Sequence, residues 1–164
     1  MRTAAVLTVS DSSARGERTD ISGPVTADLL RQNGFDVTRQ EIVSDEQGAI
    51  EEALVRLSEQ AHLVVTTGGT GIAARDVTPE ATRTVCSKLI EGIPERMRAE
   101  GASRTPFAML SRGVCGVRGR SLILNLPGSP RGAVESLCAV LHLLPHAIDL
   151  LAGKTGHNEE PASC

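Results

Sequence analysis

Apolar and polar positions follow two rhythms along this chain, and the rhythm changes every ten to fifteen residues. Residues 4–9, AAVLTV, form a continuous apolar run rich in β-branched side chains, the pattern of a strand buried on both faces. A polar loop, SDSSARGERTD, follows. SGPVTADLLRQNG then reads as a helix, with Pro24 in its first turn and Gly34 just past its end. Residues 35–43 are a second strand. Ser44-Asp45-Glu46-Gln47 matches a capping box with Ser44 at the N-cap and Gln47 at N3, and beyond it Ile50, Leu54 and Leu57 fall on one helical face. Residues 62–67 are a third strand, followed by a helix predicted over about 79–89 and another over 94–100. Residues 114–117 and 121–126 read as strands flanking a turn at Arg118-Gly119-Arg120. The loop NLPGSP leads into a helix over 131–144, and Pro145 begins a last short helix.

Strands alternating with helices predict an α/β fold, a three-layer αβα sandwich on a mostly parallel sheet, with one antiparallel strand added by the hairpin. The expected organisation is a single domain over residues 1–153 and a polar tail over 154–164, a length that suits one sizeable core. Net charge −3 and 1% aromatic content remove the basic patch and the stacking platform that nucleic-acid binding needs. Cys86, Cys115, Cys138 and Cys164 have neither CxxC nor zinc-type His spacing, so they read as scattered thiols in a reducing compartment. The opening MRTAAVLTVSDSS lacks a signal-peptide pattern. The apolar region 137–153 is interrupted by His142, Pro145, His146 and Asp149, which argues against a span. The expected location is the cytoplasm.

Three strand ends run into glycine-rich or cap-rich helix starts, at Ser44-Asp45, at residues 68–79 and at residues 127–130. In an open parallel sheet such ends share one edge, where ligands bind. Helix N-termini there present free N–H groups and partial positive charge, and Gly68, Gly69 and Gly71 let backbone approach a phosphate chain closely. Asp45 and Asp76 leave from the same edge. Carboxylates beside a phosphate require a cation between them, so one or both are predicted to hold Mg²⁺, directly or through water. The plainer alternatives remain: Asp45 favours a helix dipole, Asp76 braces its own loop, and the glycines make a bare turn. Lysine is scarce near the site, which makes Arg75 the favoured phosphate cation and Arg15 a weaker one. Ser111-Arg112 and Ser129 are further hydrogen-bond donors, with a plain N-cap an equal reading for Ser129.

Three apparent motifs fail on context. Residues 69–74 match the dinucleotide fingerprint, but they follow the third strand and the helix starts too late. Gly153-Lys154-Thr155 resembles a Walker A ending, yet the required earlier glycine is Ile148. His142 and His146 have zinc-pair spacing without the accompanying glutamate, and Pro145 disturbs their helix.

Read in order, TVSDSSARGERTDISGP, SDEQ, VVTTGGTGIAARDVTPEAT, MLSRGV and LILNLPGSPRG resemble the MogA/MoaB family of molybdenum cofactor biosynthesis proteins. The resemblance runs from about residue 6 to residue 151. It implies a molybdopterin-binding-domain-like fold and adenylyl transfer: AMP passes from Mg-ATP to the terminal phosphate of molybdopterin, and pyrophosphate leaves. It implies that Asp45 and Asp76 are the two essential aspartates. The loop Gly69, Thr70 and Gly71 would hold nucleotide phosphate, and Ser111 with the loop Pro127, Gly128, Ser129 and Pro130 would line the substrate cleft. It also implies homo-oligomers, trimers more than hexamers, and hand-over of product to a molybdenum insertase. The rival reading is a family member that binds molybdopterin or nucleotide without turnover. A second is nucleotide pyrophosphate hydrolysis, as in the competence-damage relatives.

Overall fold

Six strands make one sheet in the order β2-β1-β3-β6-β5-β4. The computed structural model describes residues 1–154, so the predicted tail lies, beyond Lys154, outside the described residues, as does Cys164. The four parallel strands are β1 (Arg2–Val9), β2 (Phe35–Val43), β3 (Leu63–Thr67) and β6 (Ser121–Leu126). The hairpin predicted around Gly119 is present: β5 (Cys115–Arg118) runs antiparallel to β6, and a two-residue edge strand, β4 (Lys88–Leu89), runs antiparallel to β5.

Alternate side chains of the central strands feed two cores, one per face. On one face, Val6, Val65 and Leu124 meet Leu30 of α2 (Ser22–Gln32), Met97 of α5 (Gly92–Ala102), Leu137 of α6 (Pro130–Val140) and Ile148 of α7 (Leu144–Leu151). On the other, Leu7, Val64 and Ile123 meet Ile50, Leu54 and Leu57 of α3 (Gln47–Ser58) and Val85 of α4 (Thr78–Val85). The result is the three-layer αβα sandwich. The helical stretch Pro130–Leu151 is long and apolar enough by composition to cross a membrane. Here a 3₁₀ turn at Leu141–Leu143 divides it, and Ala133, Leu137, Val140, Leu144 and Ile148 pack on the sheet, all at or below 2% exposure.

Several local expectations are corrected. The loop after β1 contains a one-turn helix, α1 (Asp11–Ala14), capped by Ser10, whose side chain accepts from the Ser13 N–H. Ser44 is not an N-cap: α3 begins at Gln47, its N-cap is Glu46, and no side chain caps it. The helix expected to reach residue 89 stops at Val85. Cys86 turns extended, and Ser87 and Ile90 donate to Val117 and Cys115 of β5. Strand pairing there outcompetes continuation of a short helix.

One buried polar side chain ties the layers together. Asn125 on β6 is 1% exposed; its amide donates to the Thr66 and Thr82 hydroxyls at 3.0 and 2.9 Å, and its carbonyl accepts from the Val114 N–H at 3.1 Å. Such a satisfied site tolerates loss of one member poorly. Asn125→Leu should leave the Val114 N–H and the Thr66 hydroxyl without their partner and cost about 2–4 kcal/mol of stability. With no Trp or Tyr in the chain, urea unfolding followed by far-ultraviolet circular dichroism would measure it.

Candidate active site

The carboxyl ends of β1, β3 and β6 approach each other so closely that no side chain fits between them. Gly68 (φ +96°) and Gly69 (φ +66°) follow β3 in the left-handed region, open to glycine at little steric cost. A Cβ on Gly68 would strike the Val9 carbonyl, and one on Gly69 would strike the Thr78 hydroxyl. Gly128, after β6, would place a Cβ 3.2 Å from the Gly68 Cα.

The loop between Gly68 and α4 is fixed from one side. Gly68 N–H donates to the Leu126 carbonyl at 3.1 Å, the Thr78 hydroxyl donates to the Gly68 carbonyl at 2.9 Å, and the Thr78 N–H donates to that of Gly69 at 3.2 Å. Asp76 does brace its own loop, as its plainer reading held: its Oδ2 accepts from the Ala73 N–H at 2.9 Å. No acceptor among the described residues takes the N–H of Gly69, Thr70, Gly71 or Gly128.

Asp45 is set by a reciprocal clasp that local sequence signals do not reveal. Its Oδ2 accepts from the Asp11 N–H at 2.8 Å, and its own N–H donates to Asp11 Oδ1 at 2.9 Å. Burial pushes the Asp45 carboxyl above the usual carboxylate value, the Asp11 N–H opposes the shift, and the charges of Asp11 and Asp76 add to it. Asp11 is held below its usual value, chiefly by the Asp45 N–H and also by Arg75. Arg75, favoured from sequence as a phosphate cation, is occupied by carboxylates: it donates to Asp11 at 2.8 and 2.9 Å and to Glu46 at 2.9 Å. Arg15 pairs with Glu17 at 2.9 Å.

Two cavities open here and share Gly69, Asp76, Gly128 and Ser129. One, about 480 Å³, also takes in Asp45, Gly68, Asp20 and Arg18. The other, about 430 Å³, takes in Thr70, Gly71, Ser111, Pro127 and Phe107. Of the sequence-selected residues, Arg15, Arg75 and Arg112 line neither cavity, and Asp45, Asp76, the residues Gly68 to Gly71, Ser111 and the residues Pro127 to Ser129 line one or both. The Ser129 hydroxyl accepts from the Gly132 N–H at 3.1 Å, so the N-cap role is real. Sequence reasoning missed Arg18, the basic residue lining the first cavity, and Asp20, which accepts from the Thr8 hydroxyl at 2.6 Å and the Gly23 N–H at 3.1 Å. The position of Asp20 two residues before a predicted helix was the available signal.

The donor set suits a hard divalent cation. Asp45 Oδ1 and Asp76 Oδ1 carry no hydrogen bond among the described residues, while the second oxygen of each is engaged. No cluster of three or more His, Cys, Asp or Glu ligands occurs among the described residues. Two carboxylates with the remaining positions left to water and phosphate match Mg²⁺.

A sign follows for Asp45. A carboxyl raised in the folded state binds protons there more tightly than in the unfolded chain, so stability falls as pH rises from about 3.8 through the folded value. Asp45→Asn keeps an acceptor for the Asp11 N–H and removes the partly buried charge. Without divalent cations it should melt higher than the natural chain at pH 7, and the gap should close as pH falls below the usual carboxylate range. Thermal scans across pH would check this.

The sequence matches the family described as "Probable molybdopterin binding domain" over residues 5–146. It is 43% identical over 152 residues to a molybdopterin adenylyltransferase of Helicobacter pylori, covering 90% of this chain and 86% of the relative. The fold matches the molybdopterin biosynthesis enzyme MoaB of Thermus thermophilus with a TM-score of 0.88 and 50% identity, covering 94% of this chain and 98% of the other. It also matches the molybdopterin biosynthesis Mog protein of Mycobacterium ulcerans with a TM-score of 0.86 and 40% identity, covering 92% and 99%. Strand ends, glycine loop and paired aspartates thus sit in a chain that belongs to the molybdopterin-binding-domain family of molybdenum cofactor biosynthesis proteins.

Proposed function

We propose that this protein is a molybdopterin adenylyltransferase, carrying AMP from ATP onto the terminal phosphate of molybdopterin and releasing pyrophosphate. The single observation that carries the reading is two adjoining cavities meeting at Gly69, Asp76, Gly128 and Ser129, in a chain 43% identical to a relative of that name. Such a transfer joins two phosphate-bearing substrates end to end, and two lobes with a shared wall suit it.

The acceptor phosphate is already a nucleophile, so no serine or cysteine has to be activated. The protein's work is alignment and charge stabilisation. The unpaired N–H groups of Gly69, Thr70 and Gly71 donate to phosphate oxygens. Arg18 takes over the cationic role first given to Arg75, because it lines the nucleotide lobe and forms no ion pair among the described residues. Asp45 and Asp76 would hold Mg²⁺, which neutralises phosphate charge when bound. Ser111, Pro127, Gly128 and Ser129 line the pterin lobe. Free cysteines among the described residues and the ATP requirement support a cytoplasmic location. The exposed Phe107, Met109 and Leu110, at 75, 60 and 52%, support a homo-oligomer, a trimer on the family pattern, which would hand its product to a molybdenum insertase.

Pyrophosphate release from Mg-ATP, with and without molybdopterin, tests the assignment. Release that requires molybdopterin and falls roughly 10²–10³-fold in Asp76→Asn is expected. A folded protein that releases none with pterin supplied rules out the transferase, and AMP formed from a dinucleotide without pterin would indicate hydrolysis. Arg18→Ala should raise KM for ATP about tenfold, the effect of about 1.4 kcal/mol, and leave the melting temperature unchanged.

A further inference from the structure

Arg112, which lines neither of the two cavities described above, grips the glycine loop through its main chain and its side chain together. It lies between the 3₁₀ turn Pro106–Leu110 and β5. Its backbone N–H donates to the Thr70 carbonyl at 2.8 Å, its Nε to the Gly71 carbonyl at 2.8 Å and its Nη2 to the Asp76 carbonyl at 2.8 Å. Nη1 closes on Glu80 in the first turn of α4. A planar guanidinium holds several carbonyls at once with donors fixed in a fork, whereas an ammonium is a compact charge whose donors have no such fixed spread.

The direction of these bonds determines what the loop offers on its other side. In a trans peptide the carbonyl of one residue and the N–H of the next point opposite ways. Thr78 takes the carbonyls of Gly68 and Gly69, and Arg112 takes those of Thr70 and Gly71. Four consecutive peptide planes are thereby fixed, and the N–H groups of Gly69, Thr70, Gly71 and Ile72 are turned away from Arg112 and α4. The Asp76 carbonyl, held by the same guanidinium, fixes the residue that also lines both cavities.

We propose that Arg112 is a positioning residue for adenylyl transfer: it sets the peptide planes that aim the loop N–H groups at substrate phosphate and holds Asp76 in register with them. The inference rests on the adenylyltransferase reading for its chemistry and on the hydrogen bonds alone for its geometry. Donors aimed before substrate arrives need no reorganisation as charge develops, so the benefit falls on turnover more than on binding. Arg112 need not touch substrate.

The test separates the two layers. Arg112→Lys retains the charge and the partner Glu80 but loses the fork, while Arg112→Gln loses both. Amide exchange by NMR should show the Asp76 and Thr78 N–H groups opening at least tenfold faster in both variants, with Val64 and Val65 in β3 unchanged. Molybdopterin-dependent pyrophosphate release should lose roughly 10–100-fold in kcat, with KM for ATP within about threefold. A merely structural role would lower the melting temperature and leave kcat per folded molecule intact, and that result overturns the proposal. If the natural chain releases no pyrophosphate, the functional reading fails, and unchanged exchange at Asp76 and Thr78 would then overturn the positioning claim separately. Should the Arg112 variants not fold, Glu80→Gln, which frees one end of the guanidinium, should shift exchange and kcat in the same direction by a smaller factor, and no shift in either would overturn the proposal.

Discussion

The close approach of three parallel strand ends governs the rest of the site. A Cβ on Gly128 would come within 3.2 Å of the Gly68 Cα, and one on Gly68 would strike the Val9 carbonyl. Any side chain there would force β1, β3 and β6 apart and split the two cavities that meet at this edge. A sheet edge without side chains is also one where main-chain N–H groups are the principal chemistry on offer. The glycines are therefore less a flexible loop than the requirement for a compact one, and Thr78 and Arg112 remove the freedom that glycine would otherwise retain.

Electrostatics works against anions here until something intervenes. Asp11, Asp20, Asp45 and Asp76 cluster around the first cavity or its wall, and Arg18 is the basic residue that lines it. Arg75 does not offset them for a ligand, because Asp11 and Glu46 take its donors. What Arg75 does is hold Asp11, which in turn clasps Asp45. A half-buried carboxyl raised by desolvation, and further by the charges of Asp11 and Asp76, as Asp45 is, describes a site that becomes favourable when a cation joins it. Acid-rich walls and phosphate-seeking N–H groups are compatible only on that condition.

The strands and long helices were legible because each is encoded by its own residues. Continuous apolar runs give β1, β3 and β6, and the period of Ile50, Leu54 and Leu57 gives α3. The misreadings all involve partners far away in the chain. Ser44 matched a capping box, yet Asp45 beside it is used by Asp11, thirty-four residues earlier. Arg75 looked free because its partner Asp11 lies sixty-four residues away. Residues 86–89 read as helix because nothing local reveals that β5 will pair with them. Asp45 and Asp76 were legible as edge residues for a different reason: Asp45 follows the end of β2, Asp76 lies in the loop from β3 to α4, and topology brings such strand-to-helix connections to one edge.

The same topology explains why the two aspartates need not act alike. Asp45 lines the first cavity alone, whereas Asp76 lies on the wall shared by both. In the proposed transfer a group on the shared wall is near both substrates' phosphates, and a group in one cavity answers to one substrate. Asp76 is moreover fixed at its side chain by the Ala73 N–H and at its carbonyl by Arg112, while the second anchor of Asp45 is its own N–H on Asp11. In the proposed transfer Asp76 therefore stands where the two cavities meet. Positional tolerance is smallest at that point, since a misplacement of about 1 Å can cost a hundredfold in rate.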